Sequence, residues 1–178
     1  VIIMPSAVVE TLLEVAPVFA NFTPSDRKDL LELVVEETYA AGLEIVSVGE
    51  QARSMYVLAE GTVEIRESSD NDDEGALATL IPPCSFGEVA FFEKSVHSTT
   101  VCTLTPVRVI SIDRAGYDRL LARQSLGAYK LALNVLLKLG DQVRRVEEWV
   151  AEELKKAAGI THDQWVVFRA KLYQENEI

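Results

Sequence analysis

The sequence predicts an α+β chain, in which a β-roll of the jelly-roll kind is flanked by N-terminal helices and a long C-terminal helix. Three observations carry that reading. Glycines at 42, 49, 61, 75 and 87 punctuate short β-branched runs between Ala41 and Asp113, the spacing of short strands joined by turns. Apolar residues recur at helical spacing on either side of that region. A composition of 48% hydrophobic and 25% charged residues over 178 positions belongs to a globular chain long enough to bury a core.

Charge narrows the partners. Seventeen basic against 28 acidic residues leave a net charge of −11. Such a field repels nucleic acid and anionic membranes, and opposes an anionic ligand unless its pocket carries local positive charge. The cysteines Cys84 and Cys102 form no CxxC pair, and the two histidines lie far apart, so no metal-ligand spacing exists. Both cysteines read as small buried residues. Val1-Ile2-Ile3-Met4 is too short to span a membrane and lacks a basic flank. A soluble, cytoplasmic protein is expected, with no membrane and no nucleic-acid partner, and the valine start suggests a trimmed chain.

The N-terminal helical segment is expected over residues 1–40. Val8, Val9, Leu12, Leu13, Val15 and Ala16 form one helical face, which Pro17 ends. Thr23 or Ser25 then caps a second helix, carried by Leu30, Leu31, Leu33, Val34 and Val35 to about Tyr39. The roll is expected over 41–113. Its acidic run Glu67 to Gly75 lacks the residue order of a calcium loop and reads as a solvated hairpin tip. Pro82-Pro83 ends one strand, and Val107 to Asp113 forms the last.

Closing helices and a long helix are expected over 114–157, the long one from Gly127 to Ala157. Tyr129, Leu136, Val143 and Val150 stand seven apart, and Ala132, Leu139 and Val146 make a second seam, about three heptads in all. Leu131, Leu133, Val135, Leu137 and Trp149 lie outside the seams. The first half is therefore apolar nearly all round, which suits burial against both the roll and a second copy. A homodimer through residues 129–154 is expected. The tail over 158–178 has an apolar face but too few residues and no basic cluster for a helix-turn-helix domain.

One stretch organises the rest: Phe86-Gly87-Glu88-Val89-Ala90, followed after a short apolar turn by His97-Ser98-Thr99-Thr100. Gly87 permits close backbone approach. The N–H groups of Glu88 to Ala90 would point out of a first helical turn, where partial positive charge collects. Hydroxyls of Ser98, Thr99 and Thr100 could donate from the opposite wall. Upstream, Ile45 to Gly61 reads as strand, glycine turn, strand, glycine turn, with Thr62-Val63-Glu64-Ile65 after it.

These two ordered signatures resemble the cyclic nucleotide-binding domain family, found in catabolite activator protein and in protein kinase A regulatory subunits. The resemblance spans roughly Pro17 to Leu154. It implies that residues 86–101 are a phosphate-binding cassette for cAMP or cGMP. Within it, Glu88 would accept the ribose 2′-hydroxyl, Gly87 and the Ala90 N–H would approach the sugar-phosphate, and Ser98 would donate to the cyclic phosphate. The family's cassette places an arginine where this chain has His97. Arginine offers a permanent charge and paired donors; imidazole offers one donor and is mostly neutral at pH 7. Lys94 and Arg53 are the alternative cations.

Two functions follow. The first is a regulatory or sensory domain that binds a cyclic nucleotide weakly or in altered form, without a DNA-binding output. The second is a degenerate, non-binding domain serving as a dimerisation or docking module for a protein partner. Catalysis is not expected: no Ser/His/Asp, paired-carboxylate or clustered-histidine arrangement can be argued from spacing. No resident cofactor is expected either.

Overall fold

Short strands with inward β-branched residues need two sheets to bury one face of each, and that is the architecture found. A computed structural model describes residues 6–66, 76–158, 163–167 and 170. It divides into two compact units, Val1–Val135 and Leu136–Ile178. The first holds every strand among the described residues, and the cassette.

Helix α1 (Ala7–Val15) starts at Ser6, whose hydroxyl accepts the Val9 N–H, and buries Val9, Leu12 and Leu13. Pro17–Phe19 forms a single 3-10 turn. Helix α2 (Pro24–Leu31) opens on a capping box: Thr23 Oγ1 accepts the Asp26 N–H, and the Asp26 carboxylate accepts the Thr23 N–H.

Among the described residues eight strands follow: β1 (Val34–Tyr39), β2 (Glu44–Val46), β3 (Ser54–Glu60), β4 (Val63–Arg66), β5 (Ala76–Leu80), β6 (Cys84–Phe86), β7 (Thr100–Thr103) and β8 (Val107–Asp113). They make two antiparallel four-stranded sheets, ordered β1-β8-β3-β6 and β2-β7-β4-β5. Val46, Leu58, Val63, Phe86, Val101, Val107 and Val109, drawn from both sheets, form the core of the roll. By the two-residue period, Met55, Val57, Ile110 and Ile112 face the other way; all four are buried, and α1, helix α3 (Glu88–Glu93) and helix α4 (Arg114–Ala122) contact β3 or β8.

The expected second helix is too long by a strand. It ends at Leu31, and Val34–Tyr39 is β1, paired in register with β8 from Val34↔Ile112 to Tyr39↔Val107. The roll therefore begins at Val34 rather than at 41. The β-branched run Val34-Val35 and the alternation of Glu37 and Tyr39 with outward residues suit a pleated edge, and β8 supplies the hydrogen bonds. Residues 67–75, expected as a hairpin tip, lie outside the described residues, as do Val1 to Met4 and most of the tail.

Helix α4 is capped by Asp113, which accepts the Gly116 N–H at 2.8 Å. Helix α5 (Leu126–Ala158) runs one residue further at each end than the expected long helix. Within the first unit its start buries Ala128, Leu131 and Val135, one stripe at helical spacing. Lys130 donates to the Asp26 carboxylate at 2.6 Å, and Asn134 donates to the carbonyls of Val18 and Ala20. The opposite side exposes Leu126, Tyr129 and Leu133. Among the described residues, no helix is long and apolar enough to cross a membrane.

Candidate functional site

The cassette is built by a left-handed turn. Gly87 takes φ +76° and caps α3, and its carbonyl accepts the Phe91 N–H at 3.1 Å. The N–H groups of Glu88, Val89 and Ala90 precede that first bond, so they have no acceptor inside the helix. Lys94, at φ 58°, ends α3, where the Ser95 N–H reaches back to the Ala90 carbonyl. An aromatic cluster fixes the helix beneath: Phe91 meets Phe92 and Tyr117 edge-on at 5.1 and 5.6 Å. Arg114 lies over the Phe91 and Tyr117 rings, and donates to the Phe91 carbonyl and the Asp118 carboxylate.

The return limb is held by backbone bonds. The Gly49 N–H donates to the His97 carbonyl at 2.8 Å, and the His97 N–H to the Glu50 carbonyl at 2.9 Å. The Gln51 side chain donates to the carbonyls of Lys94 and Ser95. The Gly49 turn is thereby tied to the limb that follows α3.

Each expected residue can now be placed. Phe86 is buried at the end of β6, with its ring stacked on Tyr56 at 5.3 Å and 14°. Glu88 is 4% exposed and accepts from Ser85 Oγ at 3.3 Å. Val89 is exposed and Ala90 buried. His97 is 8% exposed, and a Cβ added at Gly87 would lie 3.5 Å from its Cε1. Ser98 is exposed, and Thr99 half-buried. Thr100 Oγ1 accepts the Val48 N–H at 3.2 Å. The fold thus sets His97 against Gly87, with Glu88 and Ala90 buried in the same turn, while Val89 and Ser98 are exposed.

Burial pushes the His97 imidazole below its ordinary pKa; the Glu50 charge pulls the other way without overcoming it. The lowered pKa favours the neutral imidazole over the cation that an arginine would supply. Lys94 and Arg53 are exposed, and the Lys94 charge acts on Asp118.

Sequence reasoning missed the groups that border the cassette from the sheet. Backbone pairing sets Ser111, Tyr56 and Phe86 side by side across β8, β3 and β6. The next row on the same face is Glu37, Val109, Leu58 and Cys84. Glu37 accepts from the Tyr39 hydroxyl at 2.6 Å and from the Ser111 hydroxyl. Burial raises the Tyr39 pKa, helped by Glu37; burial also raises that of Tyr56, helped by Glu37 and Glu50. The period-two pattern of Val35, Glu37 and Tyr39 was the available signal. A separate cavity of about 330 Å³ lies between α1 and the Pro82-Pro83 turn, away from the cassette.

This two-sheet roll with a glycine-turn cassette belongs to a known class. The profile of the family described as "Cyclic nucleotide-binding domain" matches residues 36–124, and the chain belongs to that family. It is 30% identical over 112 residues to the cAMP-dependent protein kinase regulatory subunit of Debaryomyces hansenii, covering 63% of this chain and 24% of that one. It is 26% identical over 105 residues to the CRP-like cAMP-activated global transcriptional regulator of Mycobacterium tuberculosis, covering 59% and 47%. A cyclic nucleotide-binding domain from Methylobacillus flagellatus shares the fold at TM-score 0.72 and 16% identity, with 82% and 83% covered. The chain spans less than half the length of either curated relative. The family is regulatory, and its members reside in kinase subunits and transcription regulators.

Proposed function

We propose that this chain is a regulatory or sensory ligand-binding domain whose cassette binds cyclic nucleotides weakly, because His97 replaces the phosphate-binding arginine. The observation that carries the reading is the burial of His97 against Gly87, at the position where the family's cassette carries its arginine. Phe86, Gly87, Glu88, Val89, Ala90, His97, Ser98, Thr99 and Thr100 are the proposed ligand contacts. Each lost charged hydrogen bond costs roughly 1.5–3 kcal/mol, so cAMP and cGMP should bind about tenfold to several thousandfold more weakly than to an arginine-bearing cassette.

The output proposed is a homodimer through residues 129–154, read by a protein partner rather than by DNA. Supporting it, Tyr129, Leu133, Leu136, Val143, Val146 and Trp149 of α5 are all more than half exposed. Calorimetric titration of the chain and of His97→Arg with cAMP and cGMP tests the reading. A gain of about tenfold or more in the variant is expected. A folded His97→Arg protein that takes neither nucleotide would overturn it, and would leave the second reading, a non-binding dimerisation or docking module.

A further inference from the structure

A cavity of about 330 Å³ lies outside the cassette, and the local sequence explains it. Strand β6 pairs with β3 from Tyr56↔Phe86 to Leu58↔Cys84. The next pairs would set Ala59 opposite Pro83 and Glu60 opposite Pro82, but a proline has no N–H to donate, so the ladder stops. Strand β3 is also bulged there, its register with β8 shifting between Leu58 and Glu60. Across the gap, α1 presents Val8, Thr11, Leu12 and Val15, one stripe at helical spacing. Leu12 is buried, whereas Val15, and Ile81 beside Pro82, are more than half exposed. The walls are thus mostly aliphatic.

The polar side chains that line it accept rather than donate. The Thr11 hydroxyl gives its proton to the Ala7 carbonyl at 2.8 Å, and the two prolines offer carbonyls only. Glu60 stands at the rim with a full negative charge. Arg108 faces it at 3.2 Å but is shared with Glu36 at 3.0 Å, so two carboxylates stand against one guanidinium. Ser6, the cap of α1, donates to Glu36 and ties this cluster to the helix. The buried Arg108 Nε makes no hydrogen bond, so the Glu60 oxygens keep their capacity to accept. Among the described residues, no lysine or arginine lines the cavity. An anionic ligand would meet Glu60 with no lining cation to offset it. An ammonium head supplies the charge that the Glu36–Arg108–Glu60 cluster lacks.

Small-ligand sites are commonly pockets of this size, lined mainly by apolar groups with a few placed polar ones. We infer that the cavity binds a small organic ammonium ion, with its hydrocarbon body between α1 and the Pro82-Pro83 turn and its N–H donors on Glu60. This second site is independent of what the cassette binds.

The test is titration of the full chain at neutral pH with hexylammonium chloride, n-hexanol and sodium hexanoate, followed in proton–nitrogen correlation spectra. Hexylammonium should shift the amides of Val8, Val15 and Ala59 saturably, leaving that of Gly87 in place. It should bind at least about fivefold more tightly than n-hexanol, with hexanoate weakest. Glu60→Gln should remove the preference for the amine while keeping alcohol binding, and Ala59→Leu, which fills the cavity, should remove both. Thermal unfolding establishes that each variant is folded; where Ala59→Leu is not, Glu60→Gln decides. Equal binding of amine and alcohol, a preference that survives Glu60→Gln, or no saturable shift at these amides overturns the inference. Shifts there with an amphipathic leucine–lysine peptide, and none with hexylammonium, overturn it in favour of a protein partner. Shifts there on dilution of the chain alone overturn it in favour of a second copy.

Discussion

His97 and Gly87 face each other across the cassette, with the ring Cε1 3.5 Å from where a Gly87 methyl would stand. That spacing is ordinary van der Waals contact, so steric overlap does not require glycine here. The backbone does: φ is +76°. Gly87→Ala should therefore cost about 1–2 kcal/mol through the left-handed strain alone, read as a lowered denaturant midpoint. A cost well above this would mean that the turn is tighter than its contacts indicate.

Gly61 is the harsher case. Its added Cβ would fall 2.3 Å from the Pro106 carbonyl oxygen, at φ +86°. Gly42 has a similar φ of +81° but open space around it. Gly61→Ala should destabilise by at least about 1 kcal/mol more than Gly42→Ala in urea unfolding, since it adds a backbone clash to the same strain. Equal losses would show that the β3–β4 turn yields without cost.

Asp26 and Lys130 join α2 to the start of α5 across 104 residues of sequence. Burial by itself would raise the Asp26 pKa, but hydrogen bonds from Lys130 and Thr23 together hold it below 3.8. A carboxylate depressed in this way contributes stability above its unfolded pKa and loses it as pH falls through the folded one. Lys130→Met should cost roughly 3 kcal/mol at neutral pH by leaving the carboxylate buried without its partner. It should also flatten the loss of stability below about pH 4, which unfolding measured along an acid series would reveal.

His97 has the opposite charge sense. Its folded pKa lies below the ordinary 6.5, so the unfolded chain takes up the proton first. Its contribution is therefore absent as a penalty above 6.5, and stability falls as pH drops below that value. His97→Gln should remove this component, leaving a stability profile flatter on the acid side of neutrality.

The exposed apolar positions of α5 make the dimer proposal directly testable. Leu136→Glu combined with Val143→Glu should give a monomer in sedimentation at concentrations where the unaltered chain sediments as a dimer. Both side chains are more than half exposed, so folding should be little disturbed. An unaltered sedimentation coefficient would move the interface elsewhere or remove it.

The cassette was legible because it is local. The glycine turn, the six-residue α3 and the return through His97 lie within one continuous stretch, and turn chemistry there depends on near neighbours. The Thr23 cap was legible for the same reason. Strand β1 was not. Leu30, Leu31, Leu33, Val34 and Val35 form an apolar run, interrupted by Glu32, that fits a helix as readily as a strand. Only β8, more than 70 residues later, resolves the choice by pairing Val34 with Ile112.

The sequence by itself determined the family and the glycine turn at Gly87, because each is written in the order of residues along a short segment. Tertiary structure decided the surroundings of His97, the residue proposed to stand in for an arginine. Whether His97 is a cation or a neutral hydrogen-bonding group depends on burial and on the Glu50 charge. Whether carboxylates or cations face it depends on strand register, which sets Ser111 and Tyr56 beside Phe86 and places Glu37 in the adjoining row. Desolvation and Coulomb energy sum over neighbours in space, and those neighbours come from strands far apart in the chain.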